Sequence, residues 1–130
     1  MNENKLIKGI CRPHKGNGRK FGYPTANIEC PGDLDEGVFV GFTSVKSDFA
    51  NYKNQPSIIF VGAPEMLNDT NKRLETHILD IDDDDLYGAE INVDIVFKLR
   101  NSRRFDSIED LIEQMHKDER EARGWFQDNS

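Results

Sequence analysis

The sequence predicts an all-β barrel or sandwich with a helix at its C-terminal end, and three observations predict it. Residues 38–45 and 57–61 are short β-branched and aromatic runs bounded by Gly, Pro or Asn, the pattern of strands between turns. Ile91, Val93, Ile95, Phe97 and Leu99 alternate with Asn92, Asp94, Val96 and Lys98, a period of two that turns one apolar face inward. After Arg104 the period becomes helical.

The elements follow in order. Residues 38–45 and 57–61 are strands separated by a long connection over 48–56, with a second over 63–72, both long enough to close over a bound ligand. Residues 73–79 alternate as well, with Leu74, Thr76 and Ile78 on one face and Glu75, His77 and Leu79 on the other. Glu75 and His77 therefore share a side. The acidic run 82–85, followed by Leu86, Tyr87 and Gly88, reads as an exposed turn, since it lacks the alternating ligand spacing of a calcium loop. Ser107 with Asp110 three residues on gives a hydroxyl cap for a helix. Ile108, Leu111, Ile112 and Met115 then form its apolar stripe. Gly124 is the expected stop, with Trp125 and Phe126 packing back on the strands.

Size and charge narrow the function. A length of 130 residues fits one domain, 1–130. No apolar run approaches the roughly 20 residues that cross a bilayer, and MNENKLIKG has no signal-peptide character; a cytoplasmic protein is expected. Cys11 and Cys30 are not a CxxC pair and are expected to be reduced. The 24 acidic and 17 basic residues give a net charge of -7, which repels a nucleic-acid backbone. Basic side chains still cluster at residues 5–20 and 98–104, where a small anion could sit between them.

The segment 16–27, GNGRKFGYPTAN, carries the chemistry. Gly16, Gly18 and Gly22 let main-chain N–H groups approach a phosphate, and Arg19 and Lys20 supply charge. Neither GxxxxGK followed by Ser or Thr nor GxGxxG is present, so by composition alone the segment reads more readily as a series of turns than as a phosphate cradle.

At these residues the chain resembles the riboflavin kinase family. Pro24-Thr25-Ala26-Asn27 after a Gly-Arg loop is that family's hallmark, and four further blocks follow in family order. These are Asp35 to Phe39, Leu74 to Leu79, Leu86-Tyr87-Gly88, and Leu99-Arg100 with Phe105-Asp106-Ser107. The resemblance runs from Gly9 to Arg123.

The resemblance implies a six-stranded antiparallel Greek-key β-barrel with a C-terminal α-helix, binding MgATP on one side and riboflavin on the other. A monomer acting on these small molecules is expected, and the acidic net charge and the lack of a membrane-crossing apolar run argue against nucleic-acid and membrane partners. Thr25 and Asn27 would hold Mg²⁺ and the phosphates, and the loop from His14 through Gly16, Gly18 and Arg19 would cover the nucleotide. Ile78, Asp80 and Tyr87 would add nucleotide contacts. Glu75 would be the catalytic base, and Arg100, Arg103 and Phe105 would line the flavin side. The product would be FMN. Two departures from the family pattern stand out: His14 stands where the family usually has a glycine after a valine-rich strand, with Arg12-Pro13-His14 stiffening the loop, and the FMN adenylyltransferase domain of most bacterial members is not in this chain. Alone, it is expected not to make FAD.

Elementary chemistry agrees with these roles. Phosphoryl transfer depends on positioning and charge spreading, a primary alcohol must lose its proton as it attacks, and Mg²⁺ takes hard oxygen donors while keeping waters. The competing reading is a catalytically silent flavin- or nucleotide-binding module on the same barrel. A small oligonucleotide-binding barrel is disfavoured by the acidic total.

Overall fold

The computed structural model describes residues 5–12, 25–48, 51–62, 72–81 and 86–130. The described residues form β1 (Lys5–Ile10), β2 (Ala26–Ile28), β3 (Gly37–Lys46), β4 (Asn51–Gly62), β5 (Arg73–Ile78), β6 (Glu90–Arg100) and the helix α1 (Ile108–Asp128). All strand pairs are antiparallel, in the order β1-β6-β3-β4-β5-β2. The two outermost strands approach each other where Arg12 bridges Asn27, the Arg12 N–H donating to the Asn27 carbonyl at 2.8 Å. That bridge curls the sheet into a half-barrel.

Period-two alternation decides what fills the interior. Ile28, Val45, Ile59, Leu74, Ile91 and Val93 are all buried there, and Thr43 and Thr76 satisfy each other at 2.8 Å, which removes most of the cost of burying two hydroxyls. Strands β3 and β4 also bury their opposite face. Val38, Val40 and Ile58 pack with Leu79 and with Ala122 of α1. As the sequence predicted, Trp125 and Phe126 return to the sheet: Trp125 stacks on Phe97 at 6.0 Å, and Phe126 meets Phe42 edge-on at 5.5 Å.

The predicted strand over 91–99 is present, but its single apolar face is not. Gly41 opposes Ile95, Val40 opposes Phe97, Phe39 opposes Lys98 and Val38 opposes Arg100, so β6 carries an extra residue at two places against β3. Each bulge reverses the alternation. Ile91, Val93 and Ile95 therefore face the interior, whereas Phe97 and Leu99 turn to the helix side. The two reversals cancel by Arg100, which faces the helix as uninterrupted alternation would also place it.

The helix departs from expectation at its end and along its stripe. Ser107 caps it as predicted, its Oγ accepting from the Asp110 N–H at 3.1 Å. Gly124 does not stop it: α1 runs to Asp128, where the Asn129 N–H bonds the Trp125 carbonyl at 3.0 Å. The aromatic contacts of Trp125 and Phe126 outweigh the ~1 kcal/mol penalty of an internal glycine. The buried positions are Met115, Asp118 and Ala122, while Leu111 and Ile112 are half-buried and Ile108 is 40% exposed. The expected core stripe is covered only at its Met115 end.

The expected connection over 48–56 is also mostly strand. β4 begins at Asn51, and Asn54, at φ 51°, with its N–H donating to Ser44 Oγ at 3.0 Å, absorbs the register shift near Thr43. Asparagine tolerates that left-handed backbone better than most residues. Residues 63–71 and the acidic run 82–85 lie outside the described residues.

One glycine is demanded by contact. A Cβ on Gly41 would lie 2.0 Å from the Asp94 carbonyl oxygen and 2.8 Å from Ile59 Cδ1. Because the first neighbour is main chain of β6, relief requires moving a strand. We expect Gly41→Ala to cost about 1–3 kcal/mol, read as a lower urea midpoint at unchanged m-value. A midpoint within error of wild type would contradict this packing.

Candidate active site

Strand β5 sets out the site. Leu74, Thr76 and Ile78 face the interior, and Glu75 and His77 lie half-buried on the other side, as the period predicted. Glu75 is directly opposite Asn27 of β2 and Phe60 of β4. Ala26 and Ile28 both point into the core, so Asn27 between them shares the face of Glu75. Directly opposed residues of antiparallel strands have Cβ atoms about 4.5–5.5 Å apart. The amide and the carboxylate singled out in the sequence are therefore cross-strand neighbours.

Asn27 is buried, and its Oδ1 has no hydrogen-bond partner among the described residues. A buried carbonyl oxygen left unpaired costs about 1–3 kcal/mol, so this atom is set to accept from, or coordinate, something bound. Thr25 stands two residues before it, half-buried, at the spacing that puts side chains on one face of an extended chain. Among the described residues no three His, Cys, Asp or Glu side chains converge as a metal cage. A hydroxyl and an amide oxygen instead make a hard, uncharged donor pair that suits Mg²⁺ arriving with phosphates. The residues fit that ion.

The remaining nucleotide-side residues divide. Tyr87 occupies a turn in which the Ala89 N–H bonds the Leu86 carbonyl at 3.0 Å and Gly88 has φ 81°, the backbone that a type II turn requires at its third residue. The Gly88 N–H donates to the Cys11 carbonyl at 3.0 Å, which seats Tyr87, half-exposed, beside the strand joint that carries Asn27. Ile78 points into the core, so its side chain is not available to a nucleotide. His14, Gly16, Gly18 and Arg19 lie outside the described residues. Cys11 and Cys30 are not in a disulfide.

Asp80, expected to contact nucleotide, is held by the helix. At φ 61°, its carboxylate accepts from Arg123 Nη1 at 3.0 Å and Nη2 at 2.9 Å. Those hydrogen bonds, helped by the charges of Arg123 and His77, keep its carboxyl below the usual range. A carboxyl depressed on folding contributes stability above its unfolded pKa, near 3.9, and loses it as pH falls through the lower folded value. With the Asp80 side chain 74% exposed, the contribution stays on the ~0.2–1 kcal/mol scale of exposed pairs. Asp80→Asn should therefore lower Tm slightly at pH 6, with the gap closing in scans below about pH 4. A gap that does not depend on pH would refute the ion pair.

The residues expected on the flavin side sit where β6 leaves the sheet. Arg100 Nε and Nη2 each donate at 2.8 Å to the two oxygens of Asp118, which is fully buried. Arg103 donates to Gln114 Oε1 at 3.1 Å and lies 4.8 Å from the Phe105 ring centroid. The segment reaches the face of Glu75: a Cβ on Gly62, two residues beyond Phe60, would lie 3.8 Å from Ser102 Oγ. Asp118 was not among the residues expected to matter. Its signal was a carboxylate three residues after Met115 and four before Ala122, in line with an apolar stripe.

The comparisons with known proteins bear on this geometry. A family model described as flavokinase, riboflavin kinase, matches residues 1–126. The chain is 35% identical over 125 residues to the riboflavin kinase of Homo sapiens, covering 92% of this chain and 76% of that one. It is 35% identical over 115 residues to the RNA-binding riboflavin kinase of Bacillus subtilis, covering 87% of this chain and 47% of that one. The solved riboflavin kinase of Trypanosoma brucei shares the fold, with a TM-score of 0.72 over 96% of this chain and 81% of that one at 19% identity. With Glu75 and Asn27 opposed on one face of this fold, the chain belongs to the riboflavin kinase family and is a kinase.

Proposed function

We propose that the protein transfers the γ-phosphate of ATP to the 5′-hydroxyl of the riboflavin ribityl chain, giving FMN and ADP. The observation that carries this reading is the cross-strand pair: a buried Asn27 oxygen without a partner among the described residues, facing the register position of Glu75. Thr25 and Asn27 would hold Mg²⁺ against the ATP phosphates, and the ion supplies neutralisation of phosphate charge. The loop from His14 to Arg19, with main chain near Ile78, the Asp80 turn and Tyr87, borders the nucleotide. Arg100, Arg103 and Phe105 border the flavin.

Glu75 acts on the alcohol. One of its carboxylate oxygens accepts the 5′-hydroxyl proton as the hydroxyl oxygen forms its bond to the γ-phosphorus and the bond from that phosphorus to the bridging oxygen of ADP breaks. Glu75 lies half-buried beside Phe60, so water is partly excluded around the transferring group. We propose a cytoplasmic monomer working on these two small molecules. The test is direct: the protein with riboflavin, ATP and Mg²⁺ should yield FMN and ADP, followed by chromatography with flavin fluorescence. Flavin binding without FMN would instead identify a silent module.

A further inference from the structure

Residues 101–105 have no regular structure of their own, so side-chain links set their conformation. Those links converge on Asp118. Arg100 grips it in a two-bond fork and spends Nη1 on the Asn101 carbonyl at 3.1 Å. Gln114 Nε2 donates to Asp118 Oδ1 at 2.9 Å, while Gln114 Oε1 accepts from Arg103 at 3.1 Å. Both arginines flank Phe105, at 5.9 and 4.8 Å from its ring centroid.

This relay has a direction. An ionised carboxylate only accepts, so Asp118 obliges Gln114 to turn its NH₂ inward and its oxygen toward Arg103. An amide at position 118 would leave that orientation undetermined. A buried ion pair is in general a weak stabiliser compared with apolar packing, whereas this one reaches from inside the helix to the segment that crosses beside Gly62, two residue pairs from Glu75. We infer that Asp118 is a positioning residue for the flavin: through Arg100, and through Gln114 and Arg103, it fixes the 101–105 segment and the Phe105 ring against the acceptor side of the site. The inference rests on the functional reading above.

The test is steady-state FMN formation with riboflavin and ATP varied in turn, for wild type, Asp118→Asn, Gln114→Ala and the double variant, below their unfolding temperatures. The riboflavin KM should rise about tenfold in Asp118→Asn and about threefold in Gln114→Ala, with the ATP KM within about twofold of wild type. The double variant should be no worse than Asp118→Asn, because both cut one relay. A purely structural role would lower Tm and move both KM values alike or neither, and either result overturns the inference. Should Asp118→Asn fail to fold, Gln114→Ala decides alone, since it leaves the ion pair intact. No FMN from wild type removes the functional reading and this inference with it; FMN from wild type with unshifted riboflavin KM in the variants removes the inference only.

Discussion

Replacing Glu75 by glutamine is expected to lower kcat for FMN formation by about 10²- to 10⁴-fold, or about 2.7–5.4 kcal/mol in the barrier, with riboflavin and ATP affinities little changed. Glutamine keeps the volume of the side chain and an accepting oxygen, so it preserves the contact with a bound hydroxyl while removing a base that can take the proton. The surroundings that place Glu75 are main chain and core: β5 is paired on both sides, with Asn27 and Phe60 opposite, and Leu74 and Thr76 are anchored in the interior. The substitution therefore should not move the backbone. Equilibrium binding of riboflavin, read by fluorescence quenching, separates affinity from turnover. A kcat within a few-fold of wild type would take Glu75 out of the role of base and leave positioning to account for the rate.

The face on which Glu75 lies was legible in the sequence because the period of β5 is unbroken. Alternation over 73–79 put Glu75 opposite the buried set, whereas Asn27 lies in a segment that read as turns and was singled out only through the family resemblance. The register itself was not legible, since β2 and β5 are remote in sequence. Alternation failed where tertiary packing intervened. The two bulges of β6 turn Phe97 and Leu99 toward α1, where Trp125 and the outer faces of β3 and β4 offer apolar cover. Gly124 was a reasonable stop by propensity, and the aromatic residues after it carried the helix on. Asp118 was passed over because a helix-wheel argument treats a carboxylate as solvated; here its burial depends on Arg100, which the end of β6 presents to the helix.

That dependence gives the largest stability effect expected in this chain. Arg100→Met should destabilise the protein by about 3–5 kcal/mol, because it leaves a fully buried carboxylate without its cation. Asp118 is fully buried and would keep only the Gln114 amide at 2.9 Å. The converse change costs less. In Asp118→Asn the Arg100 side chain, 18% exposed, can still reach water and retains the Asn101 carbonyl. Against a total of about 5–15 kcal/mol for a domain of this kind, the arginine variant would be marginal. Pairing it with Asp118→Leu removes the stranded charge and sets an apolar side chain beside Met115 and Ala122, positions buried on the same helix. Most of the loss should then return, since apolar replacements of buried ion pairs are often neutral or stabilising. Urea unfolding of the three variants reads all of this on one scale. Arg100→Met within about 1 kcal/mol of wild type, or a double variant no better than Arg100→Met, would show that the charge of Asp118 is not buried against Arg100 in solution.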